Sequence, residues 1–228
     1  RSALASILIV HFNATVTGYF TLPHKLFTST LVQGIYLGDF GSSLFFIVSG
    51  ASLAHTVPPE QSQWQFYKKR AKAVCPLFWL AWVVCFSIRF LSQPGCYTGA
   101  KSITLVLTFL GLDNFAVAAG WVGMDFACVG EWFLGSILFL YLLFPLLQRG
   151  LRKRPWLTWA LTLAVCITVH LLGWDARLVA VHIPEFLFGM TFLTLAGRTR
   201  YILAPLLLAG AVLAQPWDGK ITCALAGA

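Results

Sequence analysis

Several apolar stretches of this chain carry polar groups suited to acid–base or anion chemistry. In "ALASILIVHFNAT", residues 3–15, His11 sits among Leu, Ile, Val and Phe. Neutral imidazole is cheaper to bury than a carboxylate, and its pKa of about 6.5 suits a general base. A lone histidine so placed is also a common structural residue, so its surroundings must decide. "HIPEFLFG", residues 182–189, sets His182 and Glu185 three positions apart. A carboxylate within hydrocarbon costs about 3 kcal/mol on insertion scales, so Glu185 calls for a partner, either His182 or a polar ligand. Glu131 and Trp132 open another run; the indole suits an interfacial belt or a polar ligand's face. Ser49, in "GSSLFFIVSG", either lines a site or lets helices pack closely. "FYKKRAKAVCP", residues 66–76, concentrates Lys68, Lys69, Arg70 and Lys72.

The elements that hold these groups follow from composition. The 228 residues are 58% hydrophobic and 11% charged, with a mean hydropathy of +0.78. Soluble domains carry roughly 25% charged residues, so this chain lacks the means to clothe a water-facing surface, and the solvent it matches is a bilayer. Sixteen Lys and Arg stand against eight Asp and Glu. Their short clusters between apolar runs read as a topology signal rather than a nucleic-acid surface.

The apolar runs predict an all-α polytopic bundle of about seven to eight spans. Candidate spans are 3–22, 39–57, 73–91, 129–148, 155–174, 177–196 and 201–215, most of them near the roughly 20 residues a crossing helix needs. "SITLVLTFLGL", residues 102–112, is about half that length and reads as a re-entrant or interfacial helix. Charge placement agrees. Arg1, the "KKRAK" group, "RGLRKR" at 149–154 and "RTR" at 198–200 hold eleven of the sixteen basic residues. All fall on the cytoplasmic side if the N-terminus is cytoplasmic and 102–112 does not cross. The chain reads as a single membrane-embedded domain over 1–228, and its ends suggest a fragment of a longer polytopic protein.

Other features carry less. No two of the six cysteines have CxxC spacing, so no metal site is expected. Cys75, Cys85 and Cys166 read as small apolar fillers, whereas Cys96 and Cys128 fall in outward loops where a disulfide could form. The "NAT" at Asn13 lies within a span, out of a transferase's reach. His55 and His170 read as interfacial, and Asp113, Asp125 and Asp175 as solvated loop residues.

Five segments in order, "RSALASILIVH", "GSSLFFIVSG", "FYKKRAKAVCP", "GEWFLGSILFLYLLFP" and "HIPEFLFG", resemble the signature segments of acyltransferase family 3. These are integral-membrane enzymes that move acyl groups, usually acetyl from acetyl-CoA, onto hydroxyls of sugars and related acceptors. The resemblance implies that Arg1 and His11 take the places of the family's first-helix basic residue and catalytic histidine. It also matches Arg70 and Pro76 to the basic loop, and Phe45, Phe46, Ser49 and Gly50 to the "FF…SG" helix. Trp132, Tyr141 and Pro145 match the next conserved helix, and Pro184, Glu185, Phe186 and Gly189 the late "PEFLLG"-like element. Two departures stand out. Arg1 and His11 are one residue closer than in the family pattern, a rotation of about 100° on a helix. Ile137 stands where many members carry Glu, leaving Glu131 as the nearest acid.

The resemblance implies a bacterial-type O-acyltransferase of the cytoplasmic membrane, with acyl-CoA as donor and a sugar, cell-surface glycan or small molecule as acceptor. His11 would be the general base, directly or through an acyl-histidine. Lys69, Arg70 and Lys72 would hold the CoA phosphates. Arg1, Ser49, Glu131, Trp132, His182 and Glu185 would line the acceptor side. No metal and no nucleic-acid partner is expected. The rival expectation is a sugar or lipid transporter or flippase without covalent chemistry, although internal repeats typical of transporters are not evident.

Overall fold

The computed structural model describes residues 7–10, 36–173 and 179–192. Among these, residues 7–10 are helical and seven longer helices follow, with no strand. They are α1 (Leu37–Thr56), α2 (Gln63–Ser92), α3 (Thr104–Leu110), α4 (Asp113–Ala118), α5 (Glu131–Lys153), α6 (Pro155–Leu171) and α7 (Val179–Phe192). The chain divides into two units, one of Arg1–Thr56 with Pro184–Ala228 and one of Val57–Ile183.

In the first unit α1 packs on the later turns of α7. Helices in lipid gain little from hydrophobicity against each other, so close van der Waals approach and polar contacts must hold them. Two glycines provide the approach. A Cβ on Gly50 would meet the Phe186 carbonyl, and one on Gly189 would meet the Ile47 carbonyl. Phe46, Leu53, Phe186 and Leu187 fill the surrounding core.

In the second unit α2 runs antiparallel to α5. The Gln63 side-chain carbonyl accepts from the Arg149 guanidinium at 3.1 Å. The Phe66 and Phe144 rings stack at 5.2 Å, and the Tyr67 hydroxyl donates to the Leu142 carbonyl at 3.1 Å. At the other end the Trp82 indole donates to the Phe126 carbonyl at 3.1 Å. α3 lies against α2 through Trp79, whose indole donates to the Phe109 carbonyl at 3.0 Å and stacks on the Phe109 ring at 4.9 Å. Gly111, at φ 69°, ends α3 in the left-handed region and sits tightly against Gly135 of α5.

α1, α2 and α5 are long and apolar enough to cross a membrane. α6 and α7 are shorter apolar helices of 17 and 14 residues. The expected seven to eight spans are therefore reached only in part, since spans 3–22 (beyond residues 7–10) and 201–215 lie outside the described residues. The seven-residue α3 rises only about 10 Å, too little to cross, as expected for 102–112. One boundary differs in an informative way. The expected span 73–91 is preceded by ten further helical residues, so the basic stretch is the start of α2 and not a loop. Lys, Arg, Gln and Ala are good helix formers, and nothing between Gln63 and Lys72 breaks the helix.

Candidate functional site

Glu185, expected to pair with His182 or a polar ligand, meets Ser43. Glu185 is buried on α7, and its Oε1 accepts a hydrogen bond from Ser43 Oγ of α1 at 2.8 Å. Ser43 is itself buried. This serine is absent from the sequence-derived set. Its only signal is a second polar residue in "GSSLFF", and nothing in the sequence links it to a residue 142 positions away. Ser49 is also buried on α1, beside the glycine that meets α7.

In the second unit, Glu131 opens α5 with only 2% of its surface exposed. Its carboxylate turns back onto the preceding loop, where it accepts the Cys128 N–H at 2.7 Å and the Val129 N–H at 3.0–3.1 Å. Charge-assisted bonds to backbone amides are strong, so Glu131 fixes the 121–130 loop. The half-buried Trp132 places its ring 6.1 Å from that of the buried His182. These two acceptor-side candidates, distant in sequence, are thus neighbours.

Cys128 lies in the same loop, and Cys96 in the connection between α2 and α3. Cys96 and Cys128 are both free thiols. Their Sγ atoms donate to different α2 carbonyls, Arg89 at 3.8 Å and Trp82 at 3.9 Å. Burial pushes the Cys128 thiol up to about 12, aided by the Glu131 charge. Burial likewise raises the Tyr97 phenol to about 12, with Cys128 adding to the effect.

The basic stretch does not act as one patch. Arg70 turns toward α5, its guanidinium 5.8 Å from the Phe66 ring centroid and 5.9 Å from that of Tyr141. Cation–π contact with two rings holds a charge in a partly apolar place. Lys68, Lys69 and Lys72 are exposed. Asp113 corrects the solvated-loop expectation, being 1% exposed at the start of α4. It follows the Gly111 turn out of α3 and opens α4, which packs on α5. Asp125 is half-buried and accepts the Ala127 N–H at 3.0 Å, a local turn contact. His55 and His170 are exposed near helix ends, as expected. Arg1, His11 and Asp175 lie outside the described residues.

The family described as "Acyltransferase domain", acyltransferase family 3, has a sequence model that matches residues 3–220. No curated protein and no solved structure matches the chain. The match takes in His11, the start of α2, Trp132 and the Ser43–Glu185 pair together, and it favours covalent acyl transfer over the transporter expectation. The chain belongs to acyltransferase family 3 and is an integral-membrane acyltransferase.

Proposed function

We propose that the protein is an acyl-CoA-dependent O-acyltransferase that transfers an acyl group, acetyl in the simplest case, to a hydroxyl of a sugar, a cell-surface glycan or a related acceptor. The reading treats residues 1–228 as one membrane-embedded catalytic domain of a bacterial-type cytoplasmic membrane. His11 accepts the proton of the acceptor hydroxyl as its oxygen attacks the thioester carbonyl. The C–O bond forms, the C–S bond breaks, and the departing thiolate leaves as CoA thiol with the proton returned by the imidazole. N–H or O–H donors near the carbonyl stabilise the oxyanion.

Lys69 and Arg70 hold donor phosphates in this reading. Arg70 supplies a rigid fork braced by two rings, and exposed Lys69 a mobile point charge. Trp132 and His182 form one acceptor-side surface, while the buried Ser43–Glu185 pair provides a second polar element, with Ser49 on the same helix as Ser43. Glu131 contributes through the loop it fixes. Arg1 contributes a positive charge on the acceptor side.

The observation that carries the proposal is the family match over 3–220. Its test is thiol release from acetyl-CoA by the reconstituted protein with glycan acceptors present. Acceptor-dependent release that disappears in His11→Ala supports it. Acceptor movement across the bilayer with no acyl-CoA consumed refutes it.

A further inference from the structure

The antiparallel packing of α2 on α5 gathers two basic clusters that lie some eighty residues apart in the sequence. Gln63 meets Arg149, so the beginning of α2 and the end of α5 share one end of the second unit. α6 begins there too, because Arg154 alone separates it from α5. That end carries exposed Lys68, Lys72, Arg152, Lys153 and Arg154, flanked by Trp64 at 74% and Trp156 at 87% exposure. Glu60 is the one acid in residues 57–72 and 141–160.

Helix geometry sets the depth of this end. α2 has 30 residues and so rises about 45 Å, against roughly 30 Å of hydrocarbon. Its apolar stretch, residues 73–92, is long enough for the hydrocarbon, and Gln63 beside Arg149 sets the first turn of α2 level with the end of α5. Only 6% of the apolar window of α2 is fully buried within the protein, so one side of this helix is open to lipid while the other packs on α3 and α5. Trp64, Lys68 and Lys72 follow one another at intervals of four and form one stripe, away from the Phe66 and Arg70 side that meets α5. Arg152 and Lys153 also complement the α5 dipole. That account does not reach the α2 lysines or the two exposed indoles.

We infer that Trp64, Lys68 and Lys72 on one side of the α2–α5 contact, and Arg152, Lys153, Arg154 and Trp156 at the end of α5 and start of α6, form docking sites for the headgroups of anionic phospholipids. The indoles sit at the acyl–headgroup boundary and the basic side chains contact lipid phosphate. Lys72 thereby belongs to the lipid surface rather than to the donor, while Lys69 and Arg70 stay with the donor. The inference uses membrane placement alone, so it stands or falls separately from the acyl-transfer reading.

The full-length protein in nanodiscs of equal phosphatidylglycerol and phosphatidylcholine tests it, with retained lipids counted by native mass spectrometry. Wild type retains phosphatidylglycerol preferentially, and the preference falls by roughly fivefold per charge removed at low salt in K68Q/K72Q/R152Q/K153Q. It also collapses at about 0.5 M salt, where screening is short-ranged. Should the quadruple variant fail to fold, K68Q/K72Q and R152Q/K153Q each give a partial loss. Free coenzyme A leaves the retained lipid unchanged. Equal retention by variants and wild type overturns the inference, as does displacement of the lipid by coenzyme A, which would assign the surface to the donor.

Discussion

Ser43 of α1 donates a 2.8 Å hydrogen bond to Glu185 of α7, a polar contact between helices whose backbones meet at Gly50 and Gly189. The pair accounts for an acid in an apolar helix. A buried carboxylate is tolerated where a donor meets it, and here the donor comes from the neighbouring helix.

Ser43→Ala therefore removes this buried hydrogen bond to Glu185. We expect a loss of about 1–2 kcal/mol in stability, read as a lowered thermal midpoint in detergent. Glu185→Gln retains an acceptor oxygen for Ser43 and keeps most of the stability. A midpoint unchanged in Ser43→Ala would mean that the contact contributes nothing.

The glycine crossing is more demanding. In Gly189→Ala the new methyl falls on the Ile47 carbonyl of α1, so the helices must part. Overpacking of this kind costs about 1–3 kcal/mol. Gly123→Ala, where a Cβ meets nothing within 4 Å, serves as the control. Equal midpoints for the two variants would contradict the close approach.

Glu131 anchors the loop before α5. Glu131→Ala removes the acceptor for the Cys128 and Val129 amides and is expected to cost about 2–3 kcal/mol locally. Hydrogen exchange at those two amides should accelerate, while exchange within α5 beyond its first turn stays slow. Unchanged exchange at residues 128 and 129 would show that the loop is held by other contacts.

The Cys128 thiol offers a pH test. Burial first, and the Glu131 charge second, raise it to about 12 from an ordinary 9.0. The thiolate is the reactive form, so alkylation of Cys128 should be slow at neutral pH and rise steeply only in strong alkali. Glu131→Gln removes the second cause and should move the onset to lower pH. The sign for stability follows. The folded state favours the neutral thiol, so this contribution is complete below pH 9.0 and is lost as pH rises toward 12.

The helical, membrane-spanning character was legible in composition and run length, because a chain so poor in charge has few other solvents. Span 39–57 emerged as α1 nearly unchanged, since its apolar run and its helix coincide. The start of α2 was misread as a loop because polarity marks the edge of hydrocarbon, whereas the helix is set by backbone propensity and continues past it. Asp113 was misread because a charge between two apolar runs resembles a loop in sequence, while burial depends on the Gly111 turn that folds α4 against α5. Glu185 was legible as an acid needing a partner, and the family resemblance singled it out. Ser43 was not, since a serine beside another serine in an apolar run gives no hint of its distant partner.

The central claim rests on His11 as the base that activates the acceptor hydroxyl. The most direct measurement is acetyl transfer to a glycan acceptor by the reconstituted protein, comparing wild type with His11→Ala and His11→Gln. The account predicts that both variants fall by at least about 100-fold at unchanged thermal midpoint. Transfer at the wild-type rate in either folded variant would contradict it.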